Sequence, residues 1–310
     1  MKVALFAGGT GGTKLAHGFA MLGNQVELSV IANVGDDVAV HGLLVCPDID
    51  ALLYTLGGLI DAERGWGVVD DTHTAHAMFA RYGEPTWFTV GDADLATHIH
   101  RTWRMAEGAS LTDATAAMAS ALGVGARILP ATDERHRTMV STDDGELAFQ
   151  EYFVRLRQQP EVRGVRFASA AGSRARATPA VLAAIATSQL VVIGPSNPIV
   201  SIGPILALDG VRTALESATG VRLAVSPIIA GQALKGPADR MLASMGHEVS
   251  AAGVARLYAG LVDRFVIDEA DAALAPQIAA LGMEPVVLPT VMRDDSARAG
   301  LAEALLAGIA

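Results

Sequence analysis

The feature that most constrains the fold is the alternation of apolar and glycine-rich segments at the start of the chain. The apolar segment VALFA ends at Gly8, the stretch GGTGGTK follows, and after a helical pattern over 13–22 a second apolar segment reads VELSVIANV. A strand, a glycine turn, a helix and another strand form a βαβ unit, and near-continuous apolar strands are typical of a parallel sheet. The chain therefore begins like an α/β protein.

The same rhythm returns after about residue 163. The segments GVRFAS, LVVIGPSNP, VRLAVSPIIAG, RFVIDEAD and PVVLPTVM read as strands, and TPAVLAAIATS reads as a helix with Thr178 as N-cap and Pro179 in its first turn. Between them, helical patterns dominate. We predict a single α/β domain over 1–310, with a Rossmann-like, doubly wound, mostly parallel sheet and a largely helical insertion or cap at approximately 62–150.

Charge and cysteine content exclude several functions. The net charge of −10 argues against broad contact with nucleic acid or an anionic membrane. The single cysteine, Cys46, excludes an intrachain disulfide and a cysteine metal cluster. No secretory signal and no apolar stretch of membrane-spanning length occurs, so we expect a cytoplasmic protein.

The glycine-rich stretch fits neither of two standard phosphate-binding motifs. In a Walker A loop the lysine precedes Ser or Thr, but Leu15 follows Lys14 here, and a dinucleotide fingerprint needs glycine where Lys14 stands. Glycines at a helix N-terminus still let backbone N–H groups approach an anion. The candidate phosphate-binding residues are Gly9, Thr10, Gly11, Gly12, Thr13 and Lys14. A tight turn without a ligand is the alternative.

Two acidic pairs follow the second strand. Asp36 and Asp37 come directly after it, and Asp48 and Asp50 begin the next helical pattern. Loops at the carboxyl ends of parallel strands meet at one crevice, and carboxylates there suit Mg²⁺, which prefers oxygen ligands shared with substrate phosphates. All four are candidate metal ligands. Helix capping by Asp48 or Asp50, and binding of a ribose hydroxyl by Asp36 or Asp37, are the alternatives.

Eight motifs, in order along nearly the whole chain, carry a family resemblance: GGTGGTKL, NVGDD, HGLLVCPDIDALLYTLGG, RGWG, VGDADLATHIHRT, FQEYF, GPSNPIVSIGPI and SPIIAGQALKGPA. Together they resemble the 2-phospho-L-lactate transferases and their phosphoenolpyruvate-using relatives, which act in biosynthesis of the deazaflavin redox coenzyme (factor 420).

The resemblance implies a metal-assisted transfer. The donor is a guanylated three-carbon acid, such as lactyl-2-diphospho-5′-guanosine or its enolpyruvyl analogue. A hydroxyl of 7,8-didemethyl-8-hydroxy-5-deazariboflavin (Fo) attacks the phosphorus that carries the acid, and GMP leaves. The expected cofactor is Mg²⁺, and the expected partners are these small molecules and a second copy of the chain in a homodimer.

The resemblance also implies roles for single residues. Asp50 matches an aspartate that contacts the deazaflavin, and we expect it to act as a catalytic base or a metal ligand. Thr89 matches a second deazaflavin contact, which is lysine in some members. Asp36 matches an aspartate associated with the metal. The loop associated with the guanine nucleotide contains Ser196, Asn197, Ser201 and Gly203.

Three further residues are weaker candidates for deazaflavin contacts. Trp66, between two glycines, offers an aromatic face, although a loop anchor packed on the core is an equally ordinary role. Asp92 and His98 belong to a GDxDxATH pattern at the start of a helix, where an aspartate N-cap and a hydrogen-bonded histidine are the alternative.

Two further segments carry positive charge. The charged run at 133–137 reads as a solvated loop unless it folds over the crevice. Lys235 is placed to help bind an anion.

Two other functions remain open at this stage. The βαβ start is compatible with a nicotinamide-dependent oxidoreductase, although the complete glycine fingerprint is absent. A non-catalytic protein that binds a nucleotide or sugar phosphate is compatible with the same fold.

Overall fold

A seven-stranded parallel sheet forms the centre of the molecule. The computed structural model describes residues 1–169 and 174–308. The strands, in chain order, are β1 (Lys2–Ala7), β2 (Glu27–Ala32), β3 (Val38–Val40), β4 (Leu43–Val45), β5 (Arg127–Pro130), β6 (His136–Thr142), β7 (Gly145–Ala148), β8 (Gly164–Ser169), β9 (Leu190–Ile193), β10 (Val221–Val225), β11 (Ile228–Ile229), β12 (Gln232–Ala233), β13 (Arg264–Asp268) and β14 (Glu284–Leu288). The central sheet has the order β14-β13-β10-β9-β1-β2-β5, and all its pairs are parallel. This confirms the predicted fold class.

Within the described residues, twelve α-helices connect and cover these strands. They are α1 (Gly9–Met21), α2 (Pro47–Leu56), α3 (Thr74–Arg81), α4 (Asp92–Ala106), α5 (Leu111–Ala121), α6 (Pro179–Thr187), α7 (Gly203–Leu206), α8 (Val211–Ser217), α9 (Ala238–Ser244), α10 (Ala251–Tyr258), α11 (Ala275–Ala279) and α12 (Asp295–Ala307). Short 3₁₀ segments cover Gly23–Gln25 and Glu269–Leu274, and π-helical turns cover Glu151–Arg155 and Pro198–Ile202. In the described ranges, every helix is too short or too polar to cross a membrane.

The two faces of the sheet bury two separate hydrophobic clusters. On β1, Ala4 and Phe6 belong to one cluster, whereas Val3, Leu5 and Ala7 belong to the other. Successive side chains of a strand point to opposite faces, so helices must cover both sides of a strand that is apolar throughout. This double coverage explains why the strands read as continuous apolar runs in the sequence.

The order of the strands creates a switch point between β1 and β9. From β1 the chain proceeds to β2 and β5 on one side, and it later returns to β9 on the other side. Ligands of open α/β sheets bind outside the carboxyl ends of the strands at such a point. The segments that follow β1 and β9, which begin at Gly8 and Gly194, meet there.

The structure of the segment 62–150 differs from the prediction in its second half. Helices α3, α4 and α5 occupy residues 74–121, but β5 then joins the edge of the central sheet beside β2. Strands β6 and β7 form an antiparallel sheet with β8, the segment GVRFAS that we assigned to the parallel sheet. Burial alternates strictly along β6, but three of its four buried side chains, His136, Thr138 and Thr142, are polar, so the sequence shows no apolar alternation there.

The first helix begins earlier than predicted. We expected it over 13–22, whereas α1 starts at Gly9 and takes the glycine-rich stretch into its first turn. By contrast, α6 is confirmed with its cap: the Thr178 hydroxyl accepts a hydrogen bond from the N–H of Val181, and Pro179 lies in the first turn.

Candidate active site

The glycines of α1 allow its first turn to pack directly against the turn after β9. A Cβ atom added at Gly11 would lie 2.0 Å from the carbonyl oxygen of Pro195, and one at Gly12 would lie 2.6 Å from Oγ of Ser196. The N–H of Gly8 donates to the same Ser196 hydroxyl over 3.3 Å. The glycines are therefore required for packing at the switch point, whether or not a ligand binds there.

A carboxylate already caps this end of α1. Oδ1 of Asp48 accepts a hydrogen bond of 2.6 Å from the N–H of Gly9, and Oδ2 accepts one of 2.8 Å from Nδ2 of Asn33. The buried Asn33 side chain also accepts from the N–H of Gly35 and donates to the carbonyl of Val200. Asn33 and Asp48 thus connect the segments after β1, β2 and β9 at the start of α2.

Asp36 and Asp37 are buried beside this cap, and each retains an oxygen, Oδ1, without a hydrogen-bond partner in the described chain. Burial raises the pKa of Asp36 well above its usual value, and the charge of Asp48 raises it further. Burial also raises the pKa of Asp37 to about 7, although the charges of Arg137 and Arg101 oppose this shift. Burial also raises the pKa of Asp48, and the charge of Arg137 only partly opposes the shift at Asp36, so ionising both carboxyl groups of this pair is unfavourable without an added cation.

Asp50 lies in a different environment from Asp36 and Asp48. Its two oxygens contact the guanidinium of Arg101, which is fully buried, and Oδ2 also accepts from the N–H of Cys46 over 3.2 Å. Arg101 in turn donates to the carbonyl of Leu44 over 3.1 Å. Asp50 is therefore the anionic half of a buried ion pair that joins α2 to α4, and its charge is already neutralised by Arg101.

His98 extends this network along α4. Its Nδ1 lies 3.6 Å from Oδ2 of Asp50, and its Nε2 lies 3.3 Å from Oδ2 of Asp94. Asp94 also accepts from the hydroxyl of Tyr54 over 2.7 Å. One ligand atom from each of Asp50, Asp94 and His98 lies within 4.8 Å of the others, but a metal ion there would compete with Arg101 for Asp50. Nε2 of His98 is buried and has no hydrogen-bond partner among the described residues.

Two other predicted phosphate-binding side chains have intramolecular partners. The Thr13 hydroxyl donates to the carbonyl of Gly9 over 2.9 Å, and Lys14 Nζ donates to the carbonyl of Met292 over 3.1 Å. Thr10 is half-buried in the same first turn. Gly9 has a φ of +61°, a left-handed conformation that favours glycine.

The nucleotide loop predicted after β9 forms a tight π-helical turn. The Asn197 side chain accepts hydrogen bonds from the N–H groups of Ile199 and Val200, so it caps the turn. Ser201 is buried against the glycine turn: a Cβ atom at Gly8 would lie 2.8 Å from its Cβ. Gly203 begins α7. Ser196 and Ser201 of this loop lie against the turn before α1, whereas Asn197 caps the π-helical turn itself.

The remaining predicted residues lie further out. Trp66 is exposed, and the Arg64 guanidinium lies 5.7 Å from the centre of its ring. Thr89 is exposed just before α4. The Asp92 carboxylate accepts hydrogen bonds from the Thr72 hydroxyl and from two N–H groups at the start of α3, and these bonds lower its pKa to about 2. Asp92 is thus committed to capping α3.

Comparison with known proteins identifies the family. The model of the family "2-phospho-L-lactate transferase CofD" matches residues 3–299. The chain belongs to the 2-phospho-L-lactate transferase family. It is 39% identical to a phosphoenolpyruvate transferase of Streptomyces griseus over 99% of this chain and 98% of that protein. It is 40% identical to phosphoenolpyruvate transferases of Kitasatospora aureofaciens (99% and 97% covered) and Mycolicibacterium smegmatis (98% and 97% covered).

A solved structure supports the fold of this transferase. A crystal structure of a member of the upf0052 family from Bacillus halodurans superimposes with a TM-score of 0.64 over 98% of both chains, at 16% identity.

Family membership makes the protein a transferase enzyme of deazaflavin coenzyme biosynthesis. The oxidoreductase and the non-catalytic binding protein are therefore not retained.

Three residues of the candidate site were not identified from the sequence or were given too little weight. Asn33 directly precedes the VGDD segment, yet nothing in the pattern indicated that its amide would bridge two other segments. Arg101 lies one helical turn after His98, a spacing that could have suggested a counter-ion for a buried acid. Arg137, from the charged run, is on β6 and approaches Asp37 with 3.6 Å between Nη1 and Oδ2.

Proposed function

We propose that the protein transfers a phospholactyl or phosphoenolpyruvyl group from a guanylated donor to Fo. The donor is lactyl-2-diphospho-5′-guanosine or enolpyruvoyl-2-diphospho-5′-guanosine. The acceptor hydroxyl forms a new O–P bond to the phosphorus that carries the acid, the P–O bond to GMP breaks, and the hydroxyl proton is released. The product is the coenzyme precursor with a phosphodiester between the deazaflavin and the acid.

The observation that carries this proposal is the meeting of Asp36 and Asp48 with the first turn of α1 at the sheet's switch point. Asp48 caps α1 through Gly9 and accepts a hydrogen bond from Asn33, three residues before Asp36 in the same turn after β2. The charge of Asp48 also raises the pKa of Asp36. Phosphoryl transfer depends mainly on positioning and charge neutralisation. A crevice that combines paired carboxylates with a glycine turn at this edge supports a diphosphate donor held through a cation.

The residues present fit a magnesium ion. Asp36 retains a buried oxygen without a partner, and oxygen is the ligand atom that Mg²⁺ prefers. Asp36 and Asp48 would hold the ion, while the ion pairs of Asp37 with Arg137 and of Asp50 with Arg101 remain as they are. When bound, the ion would neutralise charge on the diphosphate and on the departing GMP. Asn33 orients Asp48 for this contact through its 2.8 Å hydrogen bond.

The acceptor site is proposed on the side of α2 and α4. The resemblance to the family associates Asp50 and Thr89 with the deazaflavin, and the exposed ring of Trp66 offers a face for stacking. Because Arg101 neutralises Asp50, we assign Asp50 a positioning role: it holds the first turn of α2, which carries Asp48, against α4. Removing Trp66 (Trp66→Ala) is expected to weaken Fo binding about tenfold without a change in melting temperature.

The direct test combines the purified protein, Fo, Mg²⁺ and each guanylated acid separately. Mass spectrometry should detect the deazaflavin phosphodiester, with one GMP released per product. Replacing Mg²⁺ with a chelator should abolish turnover, and Asp36→Asn should raise the Mg²⁺ concentration needed for half-maximal rate. Fo binding without product from any donor would contradict the proposed reaction, and full turnover in chelator would contradict the metal assignment.

A further inference from the structure

The charged run at 133–137 ends in a residue that the structure places at the candidate site. Arg137 is the second residue of β6, and this strand begins beside the turn that follows β2: the N–H of Thr138 donates to the carbonyl of Gly35 over 2.8 Å. Burial alternates along β6, so His136 and Thr138 face the core and the Arg137 side chain lies on the opposite, half-exposed face. Arg137 can therefore reach both the turn and the solvent.

The guanidinium of Arg137 is fixed on the turn that carries Asp36. Its Nη1 donates to the carbonyl of Val34 over 3.3 Å and lies 3.6 Å from Oδ2 of Asp37. The carbonyl of Val34 also accepts a hydrogen bond of 3.3 Å from the N–H of Asp37. Arg137 thus contacts this turn on both sides of Asp36, which we propose as a metal ligand.

The guanidinium keeps one edge free for a ligand. In the part of the chain that the structure describes, the hydrogen bonds of this side chain all run from Nη1 to backbone carbonyls, whereas Nε and Nη2 have no partner and are not buried. The side chain is 20% exposed, whereas that of Arg101 is fully buried against Asp50. Nε and Nη2 lie on one edge of the guanidinium, and such an edge binds two oxygens of a phosphate or carboxylate side by side.

We propose that Nε and Nη2 of Arg137 bind the diphosphate of the guanylated donor. This inference rests on the proposed function. A divalent ion held by the carboxylates of Asp36 and Asp48 retains little net charge of its own, so a dianionic diphosphate gains from a further cation beside it. Arg137 supplies this charge from the same turn, while Nη1 keeps its contacts with Val34 and Asp37.

This contact acts on the reaction as well as on binding. When the acceptor hydroxyl attacks, negative charge develops on the oxygens of the transferred group and on the departing GMP. An arginine remains charged throughout, and its two parallel N–H groups fix the orientation of the oxygens that they bind. A lysine at this position would keep the charge and lose the paired geometry.

Binding of GDP in the presence of Mg²⁺, measured by calorimetry, tests this assignment without turnover. Arg137→Met should weaken GDP binding about 10- to 100-fold, the value of hydrogen bonds to a charged group, and Arg137→Lys should weaken it less. Arg166→Met is the matched control. Arg166 lies on β8 opposite Met139 of β6 and pairs with Glu146 at the surface, so its loss should leave GDP binding unchanged. Unchanged GDP binding in Arg137→Met would overturn the inference.

Metal binding distinguishes this role from one that only holds the turn in place. Mn²⁺ can replace Mg²⁺ as a probe, because both ions prefer oxygen ligands and free Mn²⁺ is measured by electron paramagnetic resonance. Without nucleotide, Arg137→Met should bind Mn²⁺ as tightly as wild type or more tightly, because a positive charge near Asp36 has been removed. Loss of Mn²⁺ affinity equal to the loss of GDP affinity would overturn the inference in favour of a structural role.

The wild-type protein separates failure of this inference from failure of the proposed function. If it binds GDP and forms the phosphodiester while Arg137→Met binds GDP equally well, only the assignment of Arg137 is wrong. Absence of GMP release from every donor would instead contradict the proposed function.

Discussion

The carboxylate of Asp48 lies 2.6 Å from the backbone nitrogen of Gly9, at the start of α1. Helix N-termini often bind phosphate directly, because their free N–H groups and the helix dipole favour negative charge. Here a carboxylate of the chain itself accepts a hydrogen bond from one of these N–H groups, that of Gly9. An anionic substrate at this end of α1 therefore meets a like charge, and the cation proposed at Asp36 and Asp48 would offset the repulsion.

Asparagine substitutions at Asp36 and Asp48 are expected to change stability in opposite directions. Asp36→Asn removes a buried carboxyl group whose ionisation is opposed by burial and by the charge of Asp48, so the metal-free protein should gain about 1 kcal/mol of unfolding free energy. Asp48→Asn should lose about 1–2 kcal/mol, because one side-chain oxygen becomes an N–H donor facing Gly9 or Asn33. Denaturant unfolding in a chelator measures both values.

Measuring turnover of the Asp36→Asn and Asp48→Asn variants separates their effect on activity from their effect on stability. Both variants should lose most activity and require more Mg²⁺, although only one is less stable. A stabilised Asp36→Asn protein with wild-type activity and Mg²⁺ dependence would remove Asp36 from the metal site.

Alanine at Gly11 is expected to disrupt the switch point. Its Cβ would lie 2.0 Å from the carbonyl oxygen of Pro195, so α1 and the turn after β9 must separate, at a cost of about 2–4 kcal/mol. Gly300 in α12 is the matched control: it is helical, and an added Cβ there has no atom within 4 Å. Gly300→Ala should stabilise the protein by about 0.5–1 kcal/mol. Similar melting temperatures for the two variants would contradict this account.

Sequence patterns predicted the central sheet because its strands are buried on both faces. β1 and β9 are almost free of polar residues, so their character does not depend on distant contacts. The strand β5 was missed for the opposite reason: RILP is short and lies at the edge of the sheet, where pairing with β2 decides its conformation.

The sequence indicated which segments form the candidate site, but it did not indicate which side chains contact each other there. The VGDD and CPDID motifs correctly indicated acidic residues near the glycine turn. These acidic residues divide into a cluster around Asp36 and Asp48 and an ion pair between Asp50 and Arg101. The division depends on α4, because Arg101 lies on that helix, 51 residues after Asp50 in the sequence. Local patterns contain no information about a partner at that distance.

Breaking the ion pair between Asp50 and Arg101 is expected to destabilise the fold strongly. Asp50→Asn leaves the fully buried Arg101 without its counter-ion, and Arg101→Met leaves Asp50 alone; each should cost about 3–5 kcal/mol. The double variant Asp50→Asn/Arg101→Met should be less destabilised than the sum of the two. Glu107→Gln, which breaks the exposed pair with Arg104, is the control and should cost at most about 0.5 kcal/mol. Additive losses would contradict coupling.

The carboxyl group of Asp37 is expected to make the metal-free protein less stable as the pH rises. Burial raises its pKa in the folded state to about 7, whereas an unfolded aspartate titrates near about 3.9. Between these values the folded chain holds a proton that the unfolded chain has released, so the unfolding free energy falls with increasing pH. The contribution is complete below about pH 4 and is lost by about pH 7, with a total of about 4 kcal/mol.

The difference between wild type and Asp37→Asn isolates this effect. The groups whose charges act on Asp37 are present in both proteins, so most of their contribution is removed by the subtraction. The exception is Asp36, whose pKa is raised by the charge of Asp37 and which therefore adds to the same fall in stability. Unfolding free energies measured in a chelator from pH 4 to pH 8 should give a difference curve that falls through this window and levels off above about pH 7. A flat curve would mean that Asp37 is ionised throughout, and the 3.6 Å contact with Arg137 would then outweigh the cost of burial.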